Sequence, residues 1–512
     1  MSSKTEPQAS SRFERFLYLV ERMGNKVPHP VILFLSLMLL VIVLSYVLQL
    51  AGLTIDHQRI DPVTHKVEYV STSIRSLLSA EGVRFIFESV VPNFINFAPV
   101  GIILVAMIGI GLAERSGLIT AVIRKIVDVA PRQAITAIIV ALGVMSSIAS
   151  DAGYLVLIPL GAAAFHSLGR HPFAGLAAAF AGVAAAFGVN FFVKPIDGVL
   201  AEMTNDALKL VDSSRSIALT SNLFFGIVSS VALIAVCTWI TDWIVEPRLG
   251  KYEGSAANTT QRGVSAAENR GLFYALIAGI ACLLLLAGLS LPANAPLRNP
   301  ETGTLIGDSP FMNSLVFMIM LFFLVTGIAY GVGAKTLRSV DEILDAITKS
   351  FADLGSLLFL FFVISQFVAY FNYSNIGTIV ALQLANTLPE GLGSVPLLLG
   401  FILVGVILCF PIPSILPKWA IMAPIFVPLF LRLGIDPEVV LAAYRVSDSP
   451  PNVINPLLPH FALVVGFARQ YDKEAGIGTI IALMLPYAIY TLIAWLVVFF
   501  AWFLLGLPFG PT

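Results

Sequence analysis

Charge is what this sequence has least of. Only 12% of its 512 residues are Asp, Glu, Lys or Arg, while 57% are hydrophobic; a soluble domain carries about 25% charged residues. With a mean hydropathy of +0.89, this argues against a soluble enzyme and for a chain that crosses a membrane several times. The 30 basic and 31 acidic residues nearly cancel, so no positive excess points to a nucleic acid. Cysteine is scarce. Cys237, Cys282 and Cys409 each lie in an apolar run and make neither a disulfide framework nor a CxxC site. No HExxH, GxGD or GxSG pattern occurs, which speaks against an intramembrane protease and for a protein that is not an enzyme. Residues 1–27 are polar and show no secretory-signal pattern, so the first apolar run is expected to persist as a helix.

What the sequence does have is long apolar runs. Nine of spanning length fall near 28–52, 96–113, 173–200, 216–244, 271–290, 310–332, 355–372, 437–467 and 478–508. Two others, 134–168 and 396–432, are too long for one crossing and are interrupted by SSIASDAG at 146–153 and FPIPSILPKW at 410–419. Each is expected to enter and leave on the same side. Basic residues then set the orientation. The N-terminal tail (Lys4, Arg12, Arg15, Arg22, Lys26) and loops 114–133, 245–270 and 333–350 are rich in Lys and Arg, whereas 291–309 has only Arg298. The expected fold is an all-α polytopic membrane protein with nine transmembrane helices and two re-entrant hairpins in an inverted-topology repeat. Its expected divisions are a cytoplasmic tail (1–27), a first helix with a periplasmic segment (28–95) and repeat one (96–244; hairpin 134–168, broken helix 173–200). Linking helices (245–354) and repeat two (355–512; hairpin 396–432, broken helix 437–467) follow.

The repeat rests on a shift of 265 residues. It lays Pro159 on Pro424, Gly169 on Gly434, Pro172 on Pro437, Tyr154 on Trp419 and Asn190 on Asn455; with one residue of slip, Pro195 meets Pro459. Paired hairpins and broken helices of opposite direction mark secondary transporters, whose interrupted helices point their ends at a midplane site.

The densest stretch is 407–460. It is apolar, yet it holds ten prolines together with Lys418, Trp419, Arg445, Asp448 and Asn455. An ionised side chain at the bilayer centre costs roughly 2.5–3.5 kcal/mol even on lenient scales, and broken backbone at that depth survives only in protein or beside a wet cavity. The polar set of repeat one is Ser146, Ser147, Ser150, Asp151, Asn190, Lys194 and Asp197; that of repeat two adds Ser414, Ser447, Ser449, Asn452 and His460. Arg445 and Asp448, three apart, share a helix face and can pair just before the break at Pro450–Pro451. Either Asp448 takes a coupling cation (sodium or a proton) while Arg445 holds a carboxylate, or the two form a closed structural pair. Asp197, in KPID, is a proton site or an interfacial carboxylate. Trp419 stacks on an aromatic substrate or packs its hairpin. His460 is a core histidine or a switch, and Asp151 and Lys418, near hairpin tips, are orienting groups or solvated ones.

Three stretches carry a resemblance: ERMGNKVPHPVILF at 21–34, FAPVGIILVAMIGIGLAERSGL at 97–118 and KWAIMAPIFVPLFLRLGIDPEVVLAAYRVSDS at 418–449. From about residue 12 to the C-terminus the chain resembles the aminobenzoyl-glutamate transporter (AbgT) family. The resemblance implies a homodimer in the bacterial inner membrane, with nine spans and two hairpins per subunit. It also implies import of p-aminobenzoyl-glutamate or efflux of sulfonamide antimetabolites, driven by a proton or sodium gradient and without a cofactor. The family's functional positions fall on Asp197, Trp419, Pro437, Arg445, Asp448 and Pro456. At the second hairpin tip Ile415-Leu416-Pro417 stands where the family pattern has small polar residues. The expected ligands are thus an aromatic carboxylate or a sulfonamide, at Asp197, Trp419, Arg445, Asp448, Asn190 and Asn455. Pro437, Pro450, Pro451 and Pro456 are expected to break helices. A channel would lack the plugged, proline-broken centre. A sodium-coupled dicarboxylate or aromatic carboxylate importer shares the hairpin plan, but its paired Ser-Asn-Thr motifs are absent.

Overall fold

A computed structural model describes residues 29–60, 67–148, 153–209, 211–212, 214–252, 263–307, 309–387 and 393–511. The basic N-terminal tail and the tip residues Ser150 and Asp151 lie outside the described residues. Among those described, eight helices are long and apolar enough to cross a membrane. They are Pro30–Leu50, Ala80–Ser116, Leu223–Leu249, Ala266–Ser290, Leu315–Ala334, Gly355–Tyr373, Ile415–Arg432 and Ile477–Leu504. Shorter apolar helices occupy Ile135–Ser146, Gly153–Ser167, Pro172–Ala185 and Ser394–Cys409. The first two form the interrupted segment 134–168. Ser394–Cys409 and Ile415–Arg432 form the segment 396–432, with Phe401 packed on Phe426 and Phe430 at 4.9 and 5.4 Å between ring centroids.

The segment that follows the first helix, read as periplasmic, holds two strands and a helix. Strands Thr54–Ile60 and Val67–Ser73 pair antiparallel. Helix Ala80–Ile95, capped by Ser79 Oγ accepting from Gly82 N–H, runs on toward Ala98–Ser116. Helices Leu118–Val129 and Val340–Asp353 occupy stretches read as loops, and Ile376–Thr387 lies between two of the expected runs. The first two are apolar on one side only, and their charges (Arg124, Lys125, Asp128; Asp341, Glu342, Asp345) hide them from a search for spanning runs.

A lipid-facing scaffold forms where Ala98–Ser116 packs on Leu315–Ala334 and that helix on Ala266–Ser290. Small residues let these backbones approach, as membrane helices require: a Cβ on Gly109 would lie 2.0 Å from Met320 O. The outer helix leaves Leu283, Leu284 and Leu285 at 55–68% exposure, a face made for hydrocarbon.

Inside it, the two repeats can be compared bond by bond. Gly169 and Gly434 end their hairpins at φ +74° and +76°, the left-handed conformation that glycine closes a helix with. The bond that completes each turn, Arg170 N–H to Phe165 O and Ile435 N–H to Phe430 O, measures 2.9 Å in both. Pro172 and Pro437 each open the next helix at its first turn, where a missing N–H costs nothing. Pro437 therefore starts a helix and does not break one, contrary to the sequence expectation. The break comes later: helix Pro437–Asp448 gives way to a 3-10 turn, Pro450–Ile454, opened by Pro450 and Pro451, with Pro456 just beyond it and helix Phe461–Ala468 resuming. In repeat one a π turn, Ala181–Ala185, leads into an irregular stretch through Lys194, and Pro195–Leu208 resumes. Asn190 and Asn455 sit at matching points in the two breaks. The side-chain amide of Asn190 donates to Val144 O at 3.0 Å and that of Asn455 to Cys409 O at 2.8 Å, acceptors that are themselves 265 residues apart.

Candidate functional site

The two breaks meet at the centre of the molecule. Gly188 N–H donates to Ser449 Oγ at 2.8 Å, joining repeat one to repeat two where neither has helical backbone bonds. Four charged side chains surround this junction: Lys194, Lys418, Arg445 and Asp448 are each at most 6% exposed, and Asp197 is 9% exposed beside them.

Their pairing differs from the expectation. Arg445 does not bond Asp448. Its Nη1 lies 2.6 Å from Asp197 Oδ1, across the repeat boundary, and also donates to Gly188 O at 3.3 Å. Asp448 Oδ1 instead lies 2.7 Å from Lys418 Nζ, both side chains fully buried. The physical reason is charge balance. A bond within the helix would leave Asp197 and Lys418 each without a counter-charge, and a buried ion left alone is strongly destabilising. Asp197 is also held by its own helix: its Oδ2 accepts from Lys194 N–H at 2.7 Å in a capping box at the start of Pro195–Leu208, where the helix dipole favours an anion.

Trp419 is fully buried. Its indole N–H donates to Leu200 O at 3.3 Å and Thr204 Oγ1 at 3.2 Å, and its ring stacks on Tyr444 at 4.5 Å. It locks the second hairpin onto the first broken helix and does not line the central cavity. Asn190 and Asn455 are likewise turned to the hairpin carbonyls, each with its Oδ1 accepting a backbone N–H two residues on. They fasten each break to its own hairpin tip.

The cavity itself, about 290 Å³, lies between the hairpin tips and the scaffold helix Ala98–Ser116, with Ser147, Lys194, Ser414, Asp448 and Asn452 as its polar lining. Tyr154 and His460 form one wall, stacked at 4.2 Å and 10°. Arg445 and Asp197 border a separate constriction of about 20 Å³. Cys409, unremarkable in the sequence, donates its S–H to Asp448 O at 3.3 Å and Asn452 Oδ1 at 3.2 Å. Its only sequence signal is its place at the end of the helix before FPIPS. Among the described residues no group of three or more His, Cys, Asp or Glu is placed to hold a metal ion. A wider opening of about 1110 Å³, lined by Glu202, Asn205, Asp436 and Glu438, reaches the ends of the same broken helices from another direction.

Comparison with known proteins agrees with this architecture. Residues 15–512 match the model of the "AbgT putative transporter family". The chain is 35% identical to the p-aminobenzoyl-glutamate transport protein of Escherichia coli (strain K12), across 100% of this chain and 99% of that one. Among solved structures it is similar to the Neisseria gonorrhoeae MtrF protein, described within a class of antimetabolite efflux pumps. The TM-score is 0.90 at 40% identity, covering 97% of this chain and 100% of that one. It is also similar to the Alcanivorax borkumensis YdaH transporter, with a TM-score of 0.86 at 39% identity over 94% of this chain and 100% of that one. A multi-pass membrane protein in which two interrupted helices meet beside a cavity, this chain belongs to the AbgT family of transporters.

Proposed function

We propose that the protein is a secondary active transporter that moves p-aminobenzoyl-glutamate, or exports sulfonamide-type antimetabolites, driven by an ion gradient. The observation that carries this reading is the cavity at the crossing of the two breaks, which offers an aromatic wall, a cation and a carboxylate to one small molecule. Chemistry of that kind suits both cargoes: each has a ring, one has carboxylates and the other a weakly acidic nitrogen.

In this reading the chain crosses the inner membrane nine times, N-terminus inside, with the segments 134–168 and 396–432 as re-entrant hairpins and the whole working as a homodimer. Loop charge supports the orientation, and the scaffold supplies a fixed body for the hairpins and broken helices to move against. Asp448, with Asp197, carries the coupling ion. A proton is the ion this site favours. Lys418 already supplies Asp448 with a cation, so sodium would have to displace an ammonium, whereas proton exchange needs only the pair to open.

Radiolabelled flux in proteoliposomes, with proton and sodium gradients imposed separately, tests the reading. Flux that follows the proton gradient and disappears in Asp448→Asn is the expected result. Absence of flux for both cargoes under both gradients overturns it.

A further inference from the structure

Two of the three buried cations at the crossing have an anionic partner; Lys194 does not. Arg445 takes Asp197, and Lys418 takes Asp448. The Lys194 ammonium, in a side chain 1% exposed, donates to Phe187 O at 2.7 Å and Ser147 Oγ at 3.3 Å and lies 5.1 Å from the Phe187 ring centre. All three are neutral. Among the described residues no carboxylate oxygen comes within 4.0 Å of it. An ammonium held out of water by neutral acceptors alone is disfavoured until an anion joins it.

Its position strengthens the point. Lys194 is the N-cap of Pro195–Leu208, so its charge stands at the positive end of a helix dipole, whose own anion, Asp197, is already shared with Arg445. Its side chain lines the 290 Å³ cavity, as do Tyr154 and His460, whose rings stack on one another. A cavity near the lower end of the usual ~300–1,000 Å³ range for small-molecule sites thus has one unbalanced cation and one flat aromatic wall.

We propose that Lys194 binds the anionic group of the cargo, with the Tyr154–His460 pair carrying its ring, so that this cavity selects aromatic anions. This rests on the transport reading above. It moves the carboxylate-binding role from Arg445, which is closed on Asp197 and borders a different space, to a residue that the sequence offered only as one of several polar positions. Ser147 links this cation to the hairpin tip: its Oγ receives Lys194 Nζ and Asn190 Nδ2 and donates to Val144 O. An anion arriving at Lys194 therefore acts on the same bonds that fasten the first break to its hairpin.

The test is equilibrium binding to the full chain in lipid nanodiscs. The probes are p-aminobenzoyl-glutamate, p-aminobenzoate and the methyl ester of p-aminobenzoate. Wild-type protein is expected to bind the acid at least tenfold more tightly than the ester. Lys194→Gln is expected to lose that preference and Lys194→Arg to keep most of it. Ester and acid binding equally to wild type overturns the proposal, and that comparison needs no variant to fold. An unchanged preference in a folded Lys194→Gln also overturns it, while leaving the transport reading in place. Binding of p-aminobenzoate through Lys194, with no binding of p-aminobenzoyl-glutamate, upholds the proposal and removes that cargo. Wild-type protein that binds no aromatic anion removes both.

Discussion

The two repeats share one backbone plan but not one set of charges. Their hairpins end at glycines of nearly equal φ, their next helices open at prolines, and their breaks are fastened by asparagines bonded to equivalent carbonyls. Onto this common frame repeat one places Lys194 and Asp197 after its break, at the start of the resuming helix. Repeat two places Arg445 and Asp448 before its break, at the end of the first helix. The aromatic equivalents also part ways: Tyr154 lines the cavity, while Trp419 is sealed against repeat one. Where the repeats match, the residues hold backbone; where they differ, they hold charge or face the cavity. In the transport reading proposed above, symmetry would serve the moving frame and asymmetry the cargo.

The sharpest way to break this comparison is through the charges. Asp448→Asn strands the Lys418 ammonium in a fully buried site. It should abolish coupled flux and lower stability by about 3–5 kcal/mol, read by proteoliposome transport and by thermal unfolding in detergent. The double variant Lys418→Met with Asp448→Asn should regain most of the stability and none of the coupling. Wild-type flux in Asp448→Asn would show that the pair is only a structural clasp.

The pair that crosses the repeats should matter less to stability. Arg445 and Asp197 have side chains 8% and 12% exposed, so water compensates part of the loss. Asp197→Asn is expected to cost about 1.5–3 kcal/mol, the range for a hydrogen bond to a charged group. A double-mutant cycle with Arg445→Gln should give a coupling energy of about 0.5–3 kcal/mol. A cycle that closes with zero coupling would mean that the two repeats are not joined through these residues.

How much of this was legible in the sequence follows from the range of each interaction. Gly169, Gly434, Pro172 and Pro437 meet local backbone demands, so their spacing reported the repeat without any knowledge of packing. The breaks were equally visible, because proline and charge at membrane depth contradict a smooth helix. The pairing was not: Arg445 and Asp448 were the natural partners by helix periodicity, and their true partners stand 248 and 30 positions away, where only the tertiary fold could place them. Trp419 misled for a related reason, since an indole that packs and one that binds cargo look the same in a sequence. The one-sided helices Leu118–Val129 and Val340–Asp353 escaped because their charges lower the mean hydropathy of any window that contains them.

The asparagines test the matched half of the comparison. Asn190→Ala removes one side-chain donor from Val144 O, which keeps Ser147 Oγ, and Asn455→Ala removes the donor of Cys409 O. Each should cost about 1–3 kcal/mol, by similar amounts, with the affinity for an aromatic anion unchanged in the folded protein. Loss of cargo affinity in Asn455→Ala alone would return that residue to the binding site and break the symmetry argued here.

The smallest expected effect is also the cleanest. Gly169 and Gly434 both lie in open space, with nothing within 4 Å of where a Cβ would stand. A substitution there reports backbone strain and no lost packing. Alanine in the left-handed conformation costs about 1–2 kcal/mol, so Gly169→Ala and Gly434→Ala should lower stability by nearly the same amount, measured by thermal unfolding. Equal losses would confirm that the two hairpin ends are one solution used twice. Unequal losses would mean that one turn relaxes more readily than the other.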